Sequence, residues 1–238
     1  MTEQAQQRAE HRTELADDRA LLGRTSTAER VADILRTRIA EGYFLPGTRL
    51  SEDSIGTALG VSRNTLREAF RLLTHERLLV HELNRGVFVR VLTVEDVEDI
   101  YRTRALVECA VVRGLGEPPF ALDALARAVA DGQAALREGD WKSLGTANIH
   151  FHRALVALAG SARTDELMRG VLAELRLAFH LVDDQRALHE PYLARNHQIH
   201  QALRAGDRAE AEALLAGYLR DSRERVTETY ERQVSDMH

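Results

Sequence analysis

The sequence has little of what stabilises small secreted or metal-bound domains. Its single cysteine, Cys109, excludes an intramolecular disulfide framework and a cluster of thiolate metal ligands. No apolar run is long enough to span a bilayer, and residues 1–20 are too polar for a signal sequence. We therefore expect a soluble, cytoplasmic protein with no membrane partner, in which residues 1–24 form a flexible or weakly helical tail.

The charge balance limits the kinds of partner the chain can bind. With 37 acidic and 32 basic residues, the net charge is −5, so the molecule as a whole does not attract polyanions. Basic residues nevertheless outnumber acidic ones between Thr25 and Leu92, and the acidic excess lies in the rest of the chain. Any attraction to phosphate must come from a local patch, which favours specific sites over broad coating.

The run VSRNTLREAFRLL, Val61 to Leu73, predicts a helix with two chemically different faces. Its apolar residues follow the i, i+3, i+4, i+7 spacing of a core-facing stripe. Arginines recur every four residues on the other side, at Arg63, Arg67 and Arg71. Ser62 can cap the free amides at the helix start. This arrangement is typical of a recognition helix, although a solvated arginine face is the alternative for a helix seen alone.

The flanking segments place this helix within a larger motif. Ser26 and Glu29 form a capping box before a first helix that Gly42 ends, and the segment Pro46 to Leu50 predicts a turn. A second helix is expected from Ser51 to about Leu59. Two short strands, Leu79 to Leu83 and Val87 to Val91, are joined by Asn84, Arg85 and Gly86. Together these elements predict a winged helix-turn-helix.

The segments LRTRIAEGYFLPGTRLSE, LGVSRNTLREAFRLL and NRGVFV, in this order, resemble the DNA-binding domain of GntR-type bacterial transcription regulators. The resemblance implies that residues 25–92 bind double-stranded DNA. Arg63 and Arg67 would contact phosphates or guanine edges with help from Asn64 and Thr65, and the wing tip would enter the minor groove. The DNA-binding residues expected are Arg49, Ser62, Arg63, Asn64, Thr65, Arg67, Arg71, Arg85 and Gly86.

From Thr93 onward the periodicity is helical, so the fold class predicted is mainly α, with an all-helical bundle over residues 93–238. Six helices are expected, at about Thr93 to Leu115, Ala121 to Gly139, Trp141 to Ala159, Arg163 to Asp184, His189 to Ala205, and Asp207 to Val234. The segments RALVE, FHRAL and HQALRAGDRAEAEALLAGYL resemble the FadR/FCD subfamily. That resemblance implies a domain that binds a small-molecule effector and forms a homodimer.

Polar residues on the inward stripes of these helices indicate a possible site. Arg104 points inward with Glu108 one turn further on; the two can form an internal pair, or Arg104 can bind a carboxylate or phosphate of the effector. Four more inward groups from three helices, Asn148, His152, Asn196 and Tyr218, are predicted to line one cavity. His152 can also be an ordinary hydrogen-bonded core histidine.

By the subfamily resemblance, the positions of Asn148, His152, Asn196 and Tyr218 commonly hold an aspartate and three histidines that bind a metal. An amide and a protonated phenol are poor ligands for zinc or nickel, so we expect no cofactor and a metal-free pocket. His200, one turn beyond Asn196, is the residue that could join His152 to hold a divalent metal, and we include it among the effector-binding residues.

Two rival functions remain to be weighed. A metal-dependent hydrolase would use the pair His150 and His152, but residues two apart on a helix point about 200° apart and cannot hold one ion. A DNA-binding dimer that senses no effector is the other alternative. We expect a non-enzymatic transcription regulator, a repressor by family habit, that binds a palindromic operator as a dimer.

Overall fold

A computed structural model describes residues 26–182 and 184–236; the predicted N-terminal tail, 1–24, lies outside this range. We call residues 26–92 the head and residues 93–236 the bundle. The head contains α1 (Thr27–Ala40), β1 (Arg49–Leu50), α2 (Glu52–Leu59), α3 (Arg63–His75), β2 (Leu79–Glu82) and β3 (Gly86–Val89). The bundle contains α4 (Val94–Arg113), α5 (Asp123–Glu138), α6 (Trp141–Ala157), α7 (Ala162–His180), α8 (Gln185–Arg204) and α9 (Arg208–Asp236). The predicted fold class is confirmed.

The core of the head forms around the apolar face of α3. Leu66, Ala69 and Leu73 are fully buried, as their spacing predicts. α1 packs against α3 and begins with the expected capping box. In it Ser26 Oγ accepts a hydrogen bond from Glu29 N at 3.0 Å, and the Glu29 carboxylate accepts one from Ser26 N at 2.6 Å. Local sequence signals therefore suffice to define these two helices.

The wing is a three-stranded antiparallel sheet in the order β1-β3-β2, which corrects the predicted two-stranded hairpin. Arg49 and Leu50, expected in a turn, form β1, and Arg49 lies opposite Phe88 of β3. Because both edges of β3 are paired, the wing is tied to the chain before α2. The turn at Asn84, where φ is 62°, ends β2 at Glu82 and leaves Leu83 exposed.

All six predicted bundle helices are present, with one notable change of boundary. α7 ends at His180, and α8 begins at Gln185, not at His189, because Asp184 caps it by accepting a hydrogen bond from Ala187 N at 2.8 Å. Pro191 lies inside α8 and leaves the Ala187 carbonyl without its helical donor. Arg225 of α9 supplies the missing donor at 3.0 Å. Within the described residues no helix has the length and apolar character that a membrane crossing requires.

Head and bundle are joined by side chains that bond to the backbone at the ends of head elements. The buried hydroxyl of Tyr230 in α9 donates to the Leu92 carbonyl at 2.9 Å. Arg176 Nε donates to the Ala40 carbonyl at 3.1 Å, and His180 Nε2 lies 3.1 Å from the same oxygen. Gly42 follows at φ 72°, and a Cβ there would lie 3.0 Å from the His180 ring, so the chain turns close against α7.

The buried hydrogen bond between Tyr230 and Leu92 generates a stability prediction. In Tyr230→Phe the Leu92 carbonyl loses its donor while remaining buried, so unfolding free energy should fall by about 1–2 kcal/mol. Chemical denaturation followed by circular dichroism measures this change. Tyr43→Phe is the matched control, because Tyr43 is exposed; equal effects in the two variants would contradict the role given to the buried bond.

Candidate DNA interface and buried polar cluster

The first turn of α3 is held by hydroxyl groups. Ser62 Oγ accepts from Thr65 N at 3.1 Å and lies 2.8 Å from Thr65 Oγ1, so both side chains serve the helix cap. Asn64 between them is exposed, and so is Arg63. The cap therefore fixes the start of α3 while leaving the longer polar side chains of its first turn free to reach outward.

The three arginines of α3 point into solvent and each lies against a carboxylate. Arg63, Arg67 and Arg71 have side chains that are 70%, 63% and 78% exposed. Their partners are Asp53 at 2.8 Å and Glu52 at 3.0 Å on α2, and Glu68 at 2.8 Å on α3 itself. Pairs this exposed contribute roughly 0–1 kcal/mol each, so a phosphate or a guanine edge can replace the carboxylate at small cost.

The wing places the remaining predicted residues next to one another. Arg85 at its tip is exposed, pairs with Glu82, and has its guanidinium 5.5 Å from the centre of the Phe88 ring. Gly86 has φ 112°, and a Cβ there would lie 3.2 Å from Arg49 Nε, so Arg49 of β1 lies directly beside the wing turn. The predicted DNA-binding residues thus fall on two neighbouring features of the head, α3 and the wing.

Within the bundle, Arg104 and Glu108 of α4 form an internal pair, which is the first of the two alternatives for Arg104. Arg104 Nε donates to Glu108 Oε1 at 2.8 Å, and both side chains are almost fully buried. The second oxygen of Glu108 lies 2.6 Å from His152 Nδ1 on α6. Glu108 therefore bridges an arginine and a histidine, a role that the sequence argument did not assign to it.

The predicted amide and phenol groups meet beside this pair. Asn148 Oδ1 of α6 accepts two hydrogen bonds, from Asn196 Nδ2 of α8 at 2.7 Å and from Tyr218 OH of α9 at 3.0 Å. The rings of His152 and Tyr218 lie 4.8 Å apart, centre to centre. We call Arg104, Glu108, Asn148, His152, Asn196 and Tyr218 the buried polar cluster. All six are buried, and they come from four helices.

Burial and charge set the ionisation of the cluster. Burial is the largest influence on Glu108 and disfavours its carboxylate, but the positive charge of Arg104 and the hydrogen bonds from Arg104 and His152 together outweigh it and keep the pKa of Glu108 below its ordinary value. Burial lowers the pKa of His152 despite the nearby carboxylate, so its imidazole is neutral at pH 7. A neutral ring that donates from Nδ1 to Glu108 carries a lone pair on Nε2. Burial also raises the pKa of Tyr218, which stays a hydrogen-bond donor.

Three buried atoms of the cluster have no hydrogen-bond partner among the described residues: Arg104 Nη2, His152 Nε2 and Asn196 Oδ1. A buried polar group without a partner costs about 1–3 kcal/mol, so three such groups in one place are expensive unless a ligand satisfies them. Chemically they offer one donor that carries positive charge and two acceptors. This combination can bind an anionic oxygen together with hydroxyl or amino hydrogens.

The donor set does not fit a zinc or nickel site. Asn148 Oδ1 already accepts two hydrogen bonds, Tyr218 keeps its proton, and the Glu108 carboxylate is held by Arg104 and His152. Across the described residues, no three histidine, cysteine, aspartate or glutamate side chains lie close enough to hold an ion. His200 is half-buried, and no hydrogen bond or ring contact of the described part of the chain joins it to the cluster, so its role beside His152 stays a prediction.

The geometry also argues against a hydrolase with a metal held by His150 and His152. His152 is fully buried, whereas His150 is exposed and lines a different cavity, between α5, α6 and α7. The two rings lie on opposite faces of α6, as the helical spacing of two residues requires. The sequence predicts Glu108 only as a possible partner of Arg104, and its contact with His152 is not predicted. The available signal was its inward position, one turn beyond Arg104.

Comparison with known proteins agrees with both parts of the fold. The chain matches the bacterial regulatory proteins of the gntR family over residues 27–89 and the FCD domain over residues 99–221. It is 28% identical over 197 residues to the gluconate operon transcriptional repressor of Bacillus subtilis (strain 168), covering 79% of this chain and 80% of that protein. A crystal structure of a GntR transcriptional regulator from Rhodococcus sp. RHA1 is 50% identical, with a TM-score of 0.82 over 85% of this chain and 98% of that one. The chain therefore belongs to the GntR family, as a DNA-binding transcription regulator with an FCD domain and not an enzyme.

Proposed function

We propose that the protein is a repressor whose affinity for a palindromic operator is controlled by a small hydroxylated carboxylate bound in the bundle. The observation that carries this proposal is the set of three unpartnered atoms in the buried polar cluster. A carboxylate oxygen would accept from Arg104 Nη2, and hydroxyl groups would donate to His152 Nε2 and Asn196 Oδ1. The relative from Bacillus subtilis is named for a gluconate operon, and gluconate has this chemistry.

The site is proposed to work without a metal or another cofactor. The subfamily resemblance would place a metal at Asn148, His152, Asn196 and Tyr218, where only one imidazole is present. Hydrogen bonds that Arg104 donates and that His152 Nε2 and Asn196 Oδ1 accept replace metal coordination as the means of holding the effector. The two hydrogen bonds that Asn148 Oδ1 accepts orient its side chain within this site.

Homodimerisation follows from how a winged head reads DNA. A single α3 covers one half-site in the major groove, so recognition of a palindrome requires two heads about 34–36 Å apart. Symmetric dimers are the commonest way to present two such heads. The effector would then act by changing the spacing or orientation of the heads, since a ligand that prefers one arrangement must shift the equilibrium toward it.

The first prediction concerns DNA recognition by α3. DNA selected from a random pool by the full-length protein should contain a motif with dyad symmetry. Arg63→Ala and Arg67→Ala should each weaken binding to it by about 1–3 kcal/mol if the arginine contacts a guanine, with relaxed preference at that base. Arg137→Ala, an exposed arginine of α5, is the control.

Fluorescence anisotropy over a range of salt concentrations measures both affinity and charge contacts. A variant that weakens every sequence equally and reduces the salt slope by about one identifies a phosphate contact instead of base readout. If both α3 variants bind as tightly as Arg137→Ala, the assignment of α3 as the recognition helix is wrong.

The second prediction concerns the effector. A hydroxylated carboxylate such as gluconate should raise the melting temperature, whereas the corresponding uncharged polyol should not, because Arg104 requires an anionic oxygen. Asn196→Leu should abolish the shift by removing one acceptor and one donor of the cluster. His200→Leu, one turn further along α8 and outside the cluster, should keep it. A response lost in His200→Leu and kept in Asn196→Leu would contradict the proposed site.

The third prediction concerns metal content. Protein purified without chelators should contain far less than stoichiometric zinc, nickel or manganese, as measured by inductively coupled plasma mass spectrometry. Replacing Asn148 by Asp and Asn196 by His together should raise metal affinity, because the pair supplies a carboxylate and a second imidazole. A stoichiometric metal in the natural protein, removable by chelator with loss of thermal stability, would refute the metal-free site.

A further inference from the structure

A cavity of about 390 Å³ lies away from the buried polar cluster, between α1 of the head and α6 and α7 of the bundle. Its wall carries one carboxylate, Glu41, and five side chains that are cationic at neutral pH: Arg36, Lys142, Arg153, Arg169 and Arg176. A neighbouring cavity of about 460 Å³ shares His150, Arg153 and Arg169 with it and also contains Asp131 and Asp165. The wall facing α1 is therefore strongly positive in a chain whose net charge is negative.

Most of these cationic side chains have no carboxylate partner. Arg36 is held by Glu76, with its Nη2 2.6 Å from Glu76 Oε1, and Glu41 pairs with Arg38 at 3.0 Å. No carboxylate of the described residues forms an ion pair with the other four cations, which are Lys142, Arg153, Arg169 and Arg176. Like charges that share one cavity repel, so a bound anion would stabilise the arrangement.

Arg176 has the strongest need of such an anion, because its side chain is only 8% exposed. Its donors reach neutral acceptors: the Ala40 carbonyl at 3.1 Å, the Thr146 hydroxyl at 2.7 Å and the Lys142 carbonyl at 3.4 Å. Ala40 ends α1, and a helix C-terminus offers only about half of an elementary negative charge. A buried guanidinium needs a full counter-charge, which these partners do not supply.

We propose that this cavity binds a small phosphate-bearing molecule. The guanidinium groups of three arginines and the ammonium group of a lysine suit a dianionic phosphate. Such a phosphate compensates more of the positive charge than a single carboxylate does. The hydroxyls of Thr37 and Thr146 and the apolar side chains of Ile149 and Leu172 line the rest of the wall. A volume of this size accommodates a sugar or a similar organic group attached to the phosphate.

Isothermal titration calorimetry on the full-length protein, at an ionic strength fixed with sodium chloride, tests the site with inorganic phosphate and with glucose 6-phosphate. Saturable binding of either probe is expected. Arg153→Gln combined with Arg169→Gln should weaken it at least tenfold, and because both residues are exposed the fold should survive, as circular dichroism can verify. Arg163→Gln is the matched control, an exposed arginine of the same helix α7 that does not line the cavity.

Each outcome decides the proposal. Equal affinities for the two probes identify free phosphate as the ligand, whereas tighter binding of glucose 6-phosphate identifies a phosphorylated metabolite; both support the site. Heats no larger than those of a chloride titration, or equal binding by the double variant and Arg163→Gln, overturn it. Asn196→Leu should leave phosphate binding unchanged, so this site can fail or hold independently of the effector site in the buried polar cluster.

Discussion

The bundle depends on one carboxylate that has no contact with water. Glu108 holds Arg104 on its own helix with one oxygen and His152 on α6 with the other, at 2.8 and 2.6 Å. The charges of Glu108 and Arg104 cancel, and the neutral imidazole adds none, so the group is tolerated in an apolar interior. Loss of either charged partner would leave an uncompensated buried charge, at a cost of about 3–5 kcal/mol. The bridge therefore fixes how α4 lies against α6, and the hydrogen bonds of Asn148 extend that order to α8 and α9.

The same chemistry explains what could be predicted from the sequence and what could not. The α3 stripe, the capping box and the inward positions of Arg104, Asn148, His152, Asn196 and Tyr218 follow from helical periodicity, which is a local property. The second partner of Glu108 lies 44 residues away along the chain. The start of α8 depends on a local cap, Asp184. Pro191 is tolerated inside α8 because Arg225 of α9 donates to the carbonyl that the proline leaves without its helical donor. No periodic pattern contains such long-range contacts.

The exposed face of α3, the proposed DNA-binding surface, carries arginines that are already paired with carboxylates. Asp53 and Glu52 of α2 hold Arg63 and Arg67 of α3, so the arginines have partners before any DNA arrives. If α3 is the recognition helix, DNA must displace these carboxylates, so a phosphate gains less from binding Arg63 or Arg67 than it would from binding an unpaired arginine. A guanine edge adds directional hydrogen bonds to the exchange. Discrimination between sequences would then come from the guanine contacts, because the cost of displacing the carboxylates is the same for every sequence.

The two proposed ligand sites share a structural neighbour, α7. This helix packs against α4 and α6, which carry the Arg104, Glu108 and His152 bridge, and it also contacts α1 of the head. At that contact the Ala40 carbonyl receives Arg176 and lies beside His180, and one turn earlier Arg36 of α1 holds Glu76 at the C-terminal end of α3. A shift of α7 must either carry α1 with it or break the hydrogen bonds to Ala40. Because hydrogen bonds weaken steeply with distance and angle, even a small shift of α7 would weaken this junction. A ligand in either proposed site that favours one position of α7 would therefore act on α3 through the same short series of contacts.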